Sequence, residues 1–489
     1  MGPAPQTALS IVVRPVRASL PEVQQVVIEA TIAAIADAAR ARLCFRAPIT
    51  YAGRTGIADR VSNLRLRDAS GDVAVTIENE TSDPGGFPYY RHWCATRAVR
   101  GDVALHYAMQ SYTGRVTPGP QFDFYSHAGG VSFGGMAMFV LPELRDTLRL
   151  TIRWDLRDLA PGSIAASTYG EGTIARRGTA ESLAQAYYMA GPLGRYAPDE
   201  ARGSFAGYWL GTPAFSARRE LAWTWSMNQY LRHFWADTTS DPYRIFIRAL
   251  EGTGGGTALQ RSFMYGVRPG SGDSTKVAQR NTLAHEMGHM FLGTVDEGGG
   301  AGPTWFNEGL NTHLTRALVF SSGNGELADF LDDLNTTARN YYTNAYRLLT
   351  ADSLARLGFS TGIGAGSAQN VPYTRGSLWW ATMDERIRRS SHGGRSLDDV
   401  VLALVRRWRG GAPRTVQSIV DALVVEIGDE ARREYERVIV RGETVEPSSE
   451  AFGSCFERYE TTISQGSVVA RGYQWRRVPG LTDEDCRKW

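Results

Sequence analysis

The 489-residue sequence predicts an α+β chain of several domains, with an N-terminal antiparallel β domain ahead of a mainly helical remainder. Three observations carry this expectation. Hydrophobic residues make up 43% of the chain and charged residues 21%, which suits a large core shared by two or three domains and excludes overall disorder. Short alternating or β-branched runs punctuated by turns dominate up to about residue 165. Beyond that point apolar residues recur at helical spacing.

In chain order, Ala8 to Val13, Val73 to Glu78 behind the turn Ser70-Gly71-Asp72, Val103 to Ala108, and Thr147 to Trp154 read as strands. Met136 to Leu141 is the strongest apolar run, strand-sized and stopped by Pro142. It falls far short of the roughly 20 residues a membrane helix needs, so no transmembrane segment is expected. Val26 to Ala41 is alanine-rich enough for a helix although Val26-Val27-Ile28 suits a strand, and it is carried as a helix candidate. In the second half, Arg218 to Phe234, Glu326 to Leu349, Ser377 to Arg389, Leu397 to Arg409 and Val416 to Val440 are predicted helices. Gly/Ser-rich loops at 266–272, 293–302 and 358–366 separate them, and there is no internal repeat. The Gly252 to Gly256 run lacks the ending of a phosphate loop and is read as leading into a strand from Leu259 to Tyr265.

Charge nearly cancels, 53 Lys+Arg against 51 Asp+Glu, and no basic stripe offers a nucleic-acid footprint. Arg406, Arg407 and Arg409 around Trp408 end an amphipathic pattern and are read as a solvated helix C-terminus. Cys44, Cys94, Cys455 and Cys486 have no C-x-x-C spacing, which argues against a thiolate metal site. Buried thiols and two disulfides both stay open. A Cys455–Cys486 bridge is favoured, because the tail is short, polar and poor in core residues and gains most from a staple. Such a bridge implies a periplasmic or secreted protein, with the cytoplasm left open. Met1 to Pro5 shows no basic segment followed by an apolar one, so no signal peptide is read there.

The chemistry concentrates in Asn281-Thr-Leu-Ala-His285-Glu286-Met-Gly-His289-Met-Phe-Leu-Gly293. A cap at Asn281 or Thr282, a stop at Gly293 and an apolar side of Leu283, Met287, Met290 and Phe291 predict a helix. His285 and His289, four apart, then project one turn above the other from one face, so that both imidazoles reach one tetrahedral zinc ion. Glu286 stands beside that metal without being a ligand, placed to take a proton from a water the metal acidifies. A chance H-E-x-x-H on an unrelated helix is the competing explanation. Against it stands a third candidate ligand, Glu308 in Thr304-Trp305-Phe306-Asn307-Glu308-Gly309-Leu310-Asn311, whose aromatic neighbours should face the core. His, His and carboxylate leave one position open, as catalytic zinc requires. His313 is the weaker alternative ligand, and Asp296 or Glu297 could orient a histidine from the glycine-rich loop.

His285-Glu286-x-x-His289, eighteen residues, then Glu308 within Trp305-Phe306-Asn307-Glu308-Gly309 resembles the zinc signature of the gluzincin metallopeptidases. Pro372-Tyr373-Thr374-Arg375-Gly376 resembles the Y-x-[K/R]-G element of the alanyl- and glycyl-aminopeptidase families, and the resemblance gives Tyr373 the oxyanion-donor role. The glycyl aminopeptidase family is the nearer likeness, over roughly residues 7 to 445. It implies a β domain over 1–165, a thermolysin-like zinc-peptidase domain over 166–325, a C-terminal helical region over 326–445 completing the cleft, and a short extension over 446–489. Gly254 to Ser262 stands where that family has a glycine-rich turn and edge strand, which assigns substrate binding to Gly255, Gly256 and Gln260. An acidic residue there pairs with a substrate ammonium, whereas Gln260 offers only hydrogen bonds. Two further departures are the few residues, about 45, left for a PDZ domain after Val445, and Asn311 and Thr312 where a carboxylate usually supports a histidine.

The implied activity is zinc-dependent hydrolysis of peptide or protein substrates, one zinc per chain, with aminopeptidase action the narrower form. A non-catalytic zinc-containing binding protein and a zinc hydrolase acting on a non-peptide bond are the alternatives. Intact Glu286 and Tyr373 count against the first, because a closed structural site needs neither.

Overall fold

A computed structural model describes residues 6–17, 22–82, 89–270, 277–295, 303–358 and 365–487. The chain forms two compact units, Met1–Ala222 with Thr239–Thr275, and Trp223–Thr238 with Lys276–Trp489.

The first unit is built of sheets. Its seven-stranded sheet runs, in spatial order, Ile174–Gly178, Leu148–Trp154, Ala8–Val16, Gln25–Ala33, Val103–Gln110, Val61–Asp68 and Gly71–Val73. Leu9, Ile11 and Val13 are buried while Ser10 is exposed, the period of two that a half-buried strand imposes. The same period corrects the helix candidate at 26–41. Val26, Ile28, Ala30 and Ile32 are all buried on Gln25–Ala33, which pairs antiparallel with Ala8–Val16, and only Asp37–Arg40 turns helical. Alternation outweighs the alanines' helix propensity.

Met136 to Leu141 is not a strand either; it holds a 3-10 turn, Gly135–Ala137, and the two-residue strand Leu141–Pro142. A Cβ at Gly135 would stand 1.9 Å from the Leu183 carbonyl oxygen, so the chain is pressed against a neighbouring backbone that leaves no room for a regular strand. Cys44 and Cys94 lie directly opposite on paired strands Cys44–Tyr51 and Tyr89–Ala95 and form a disulfide.

A mixed sheet closes this unit, ordered Gly194–Tyr196, Phe205–Leu210, Tyr243–Ala249, Ser262–Val267, Gly255–Leu259. Tyr243–Ala249 is buried at every position, as a central strand with parallel neighbours on both sides should be. The expected strand Leu259 to Tyr265 is replaced by a hairpin turning at Gln260 and Arg261, the latter at φ 53°. Gly255–Leu259 is thereby the edge strand and Ser262–Val267 an interior one.

The second unit is helical. Helix α1 (Ala217–Phe234) supplies its residues from Trp223 onward, followed by α2 (Val277–Leu292), α3 (Asn311–Ser321), α4 (Leu327–Tyr342), α5 (Val371–Ser390), α6 (Leu397–Arg409) and α7 (Val416–Ile427). Gly428, at φ 68°, ends α7 and breaks the expected helix Val416 to Val440. Trp305, Trp379 and Trp380 form the aromatic heart, with Trp305 stacked on Trp380 at 5.5 Å and edge-on to Trp379 at 5.3 Å. Buried Arg316 ties three helices together through Asp333, Thr337 and Ser377. The tail is richer in core than expected. Phe456–Gln465 and Val468–Arg477 form a hairpin that buries Phe456, Ile463 and Trp475, and Cys455–Cys486 is bridged. No helix among the described residues is long and apolar enough to cross a membrane.

Candidate metal centre

Helix α2 presents the paired histidines as the spacing predicts. Its described residues begin at Val277, a turn ahead of the expected cap, and Thr282 is mid-helix, its hydroxyl donating to the Ala278 carbonyl at 2.8 Å. Leu283, Met287 and Phe291 are buried, so the opposite face carries His285 and His289. Gly288 sits where α3 crosses; a Cβ there would stand 2.0 Å from the Asn311 Oδ1.

Glu308 arrives on a stretch of π-helix, Trp305–Leu310, that runs directly into α3. Such a wider turn re-aims a side chain inside an otherwise regular helix. His285 Nε2 lies 3.0 Å from Glu308 Oε2, His289 Nε2 lies 3.3 Å from the same oxygen, and the two nitrogens are 3.1 Å apart. Ligand atoms about 2.0–2.1 Å from a tetrahedral zinc stand roughly 3.3 Å from one another, so this triangle fits the ion. The charges fit as well. Three basic groups aim at one point, and withdrawal from water lowers His289 while the Glu308 charge and hydrogen bond more than offset it, holding the imidazole up at about 9. Removal from water acts to raise Glu308, but both histidines outweigh it and its carboxyl lies well below the usual range. Among the described residues these three form the one cluster of three or more histidine, cysteine or carboxylate groups able to hold a metal. His313 is not part of it.

Around the cage, Glu286 is buried and close enough for its charge to act on both His289 and Tyr373. The Tyr373 ring stacks on His285 at 5.9 Å, and its hydroxyl is close enough to Glu308 to feel the carboxylate. Loss of hydration and the Glu308 and Glu286 charges push the phenol well above its ordinary pKa, so it stays a donor.

The structure also shows what supports the cage where sequence reading found no carboxylate. Thr312 Oγ1 lies 3.4 Å from His285 Nδ1, and the Asn311 amide donates to the His285 carbonyl at 2.8 Å. With Nε2 on a metal, Nδ1 carries the proton and donates to the threonine oxygen, fixing the ring's tautomer. Asn307 accepts from the Val295 N–H at 2.9 Å and donates to its carbonyl at 3.1 Å, clamping the chain just after α2 to the π-helical turn. The glycines of both motifs meet each other: a Cβ at Gly309 would stand 2.6 Å from the Gly376 Cα, and one at Gly376 2.7 Å from the Trp305 carbonyl. This contact seats the Tyr373 turn against the Glu308 turn. Asp296 and Glu297 lie outside the described residues.

Gly255, Gly256 and Gln260 belong to the first unit, whereas the cage belongs to the second. Gly255 and Gly256 lie on the edge strand, while Gln260 is exposed in the hairpin turn rather than on a strand.

Histidines on one helix, a carboxylate from the next and a sheet-built first unit are the features that the sequence resemblance implies. Solved structures agree. An aminopeptidase N family protein from Idiomarina loihiensis superposes with a TM-score of 0.72 at 12% identity over 93% of this chain and 79% of that one. An M1 zinc metallopeptidase from Deinococcus radiodurans, in a mutant solved with a Tyr-Ser-Ala substrate, gives 0.54 at 15% identity over 90% and 96%. Yeast LTA4 hydrolase gives 0.52 at 13% identity over 90% and 69%. The fold is thus that of the M1 zinc aminopeptidases. No protein-family model matches the sequence, and no curated protein matches it.

Proposed function

We propose that this protein is a zinc-dependent metallopeptidase that binds one zinc through His285, His289 and Glu308 and cleaves peptide or protein substrates. The convergence of three basic groups within 3.0–3.3 Å on a face that also carries Glu286 and Tyr373 is the observation that carries this reading. Zinc, when bound, supplies Lewis-acid chemistry, acidifying a water and polarising a carbonyl. Glu286 removes the proton of the attacking water and delivers it to the leaving amine. Tyr373 donates its hydroxyl to the oxygen on which negative charge develops. The edge strand Gly255–Leu259 offers main-chain groups suited to an extended peptide, the substrate class seen in the Deinococcus neighbour. Aminopeptidase action is the narrower form of the proposal. The two disulfides support a periplasmic or secreted location.

The test is mass-spectrometric cleavage profiling of a peptide library with free and acetylated N-termini, comparing wild type with Glu286→Gln. Cleavage confined to free N-termini supports an aminopeptidase, and cleavage of both pools an endopeptidase. If Glu286→Gln keeps its zinc and still cleaves, the mechanism fails. If neither protein cleaves any peptide, a binding protein or a hydrolase of another bond takes its place.

A further inference from the structure

The second unit contains a separate cavity of about 270 Å³ between α1, α3, α5, the start of α6 and the C-terminal Arg487. None of the residues around it is a proposed zinc ligand. Its lining mixes apolar residues, Phe234, Leu314 and Leu318, with the charged Asp384, Arg388, Asp398 and Arg487. The charges there are unevenly satisfied. Asp384 is fully used, accepting from Arg388 Nε at 3.1 Å and from the Leu397 N–H at 2.8 Å. Asp398 makes no hydrogen bond or ion pair among the described residues, although it faces the same space. Arg487 is also without an ion pair among the described residues, its guanidinium held at the rim by the Phe320 carbonyl at 2.7 Å and by the Phe320 ring. His313 is 4% exposed, and its Nδ1 is buried without any hydrogen-bond partner.

A buried imidazole nitrogen without a partner is the kind of group that folding alone would pair, and beside it stands the half-buried, unpaired Asp398. Here each lines a space open to an occupant. Burial first, then the neighbouring Asp384 and Asp399, hold Asp398 up at about 7, so an arriving cation would restore its charge. Burial, with Arg316 and Arg388 nearby, holds His313 down at about 3, so it is neutral and able to accept a hydrogen bond.

We propose that this cavity binds a small zwitterion of the α-amino-acid type with an apolar side chain. Its ammonium rests on Asp398 and His313, its carboxylate on Arg487 and its side chain against Phe234, Leu314 and Leu318. The volume lies just below the roughly 300–1,000 Å³ of sites for drug-sized ligands, in keeping with so small an occupant.

Isothermal titration of the zinc-loaded Glu286→Gln protein, which should not hydrolyse an amide, with L-leucine and L-phenylalanine tests this. One or both should bind, while L-leucinamide, lacking the carboxylate, and N-acetyl-L-leucine, lacking the ammonium, should each bind at least about tenfold more weakly. Asp398→Asn and Arg487→Gln should weaken binding of the parent amino acid by the same order while keeping melting temperature and zinc content. Failure of both amino acids to bind at millimolar concentration overturns the proposal. So does binding that persists in both variants, because the amino acid then sits elsewhere.

Discussion

Replacing Gly309 with alanine tests the glycine contact that seats the two halves of the site. The added Cβ would stand 2.6 Å from the Gly376 Cα and 2.9 Å from the Pro372 carbonyl oxygen. Carbon atoms pack at about 3.5–4.0 Å, so the π-helical turn and α5 must part by roughly 1 Å. Both obstacles are backbone, and no rotamer relieves them. Overpacking of this kind costs about 1–3 kcal/mol, of which alanine's better helix propensity returns up to about 1 kcal/mol. A net loss near 1–2 kcal/mol lowers the melting temperature by roughly 2–8 °C in a unit of this size.

The catalytic consequence is larger than the thermal one. Glu308 precedes Gly309 directly and Tyr373 lies in the same turn of α5 as Gly376, so the proposed metal ligand and the proposed oxyanion donor move apart together. A displacement near 1 Å costs on the order of 100-fold in rate. Calorimetric melting and kcat/KM on a fluorogenic peptide measure both effects. Gly366→Ala is the control. Gly366 is exposed in the short helix Ala365–Gln369 with nothing within 4 Å of where an alanine methyl would stand, so the melting temperature should hold or rise. Wild-type melting and turnover in Gly309→Ala would refute the reasoning.

Three further outcomes follow from the same geometry. Tyr373→Phe should lower kcat about 10²–10³-fold with little change in zinc content, as expected for a lost oxyanion donor; an unchanged kcat would return Tyr373 to a packing role. Thr312→Val removes the acceptor for His285 Nδ1 and should weaken zinc about tenfold in chelator competition without unfolding the protein, whereas unchanged affinity would show that the 3.4 Å contact does not support the ring. In metal-free protein, His289 is held at about 9, above its ordinary 6.5, so the contribution of its raised pKa to stability is complete below pH 6.5 and fades as pH climbs through 9. Zinc displaces that proton and should bind more tightly over the same climb. Melting series of chelated and zinc-loaded protein across this range should therefore diverge, and parallel curves would exclude the linkage.

The cage was legible in the sequence because its geometry is local. Four residues of α-helix bring His285 above His289 whatever the rest of the chain does, and Trp305-Phe306 beside Glu308 marks the core side of the next helix. The strands around Leu9, Val103 and Leu148 were legible for a similar reason, a period of two set against one buried face. What stayed hidden depends on distant partners. Gln25–Ala33 became a strand because Ala8–Val16 was there to pair with it, and Met136 to Leu141 lost its strand form to the approach of the Leu183 backbone. Thr312 was visible only as a missing carboxylate, since a hydroxyl 27 residues from His285 announces nothing until α2 and α3 cross. The hairpin at Gln260 was missed because Gln260-Arg261 carries none of the Gly, Pro, Asn or Asp residues that mark a tight turn.

The order in which the chain visits its two units limits how it can be taken apart. It crosses at 222–223, again at 238–239 and again at 275–276. A fragment ending at Ala222 would lack Tyr243–Ala249, Gly255–Leu259 and Ser262–Val267, three of the five strands of the mixed sheet. A fragment beginning at Lys276 would keep every proposed zinc ligand yet lack Trp235, whose ring stacks on Phe291 of α2 at 6.2 Å. Neither unit is a single stretch of sequence, so no one cut releases either whole. Nicking, deletion or exchange of parts has to respect three junctions at once, and the helical unit can be transplanted only with the short segment 223–238 carried along.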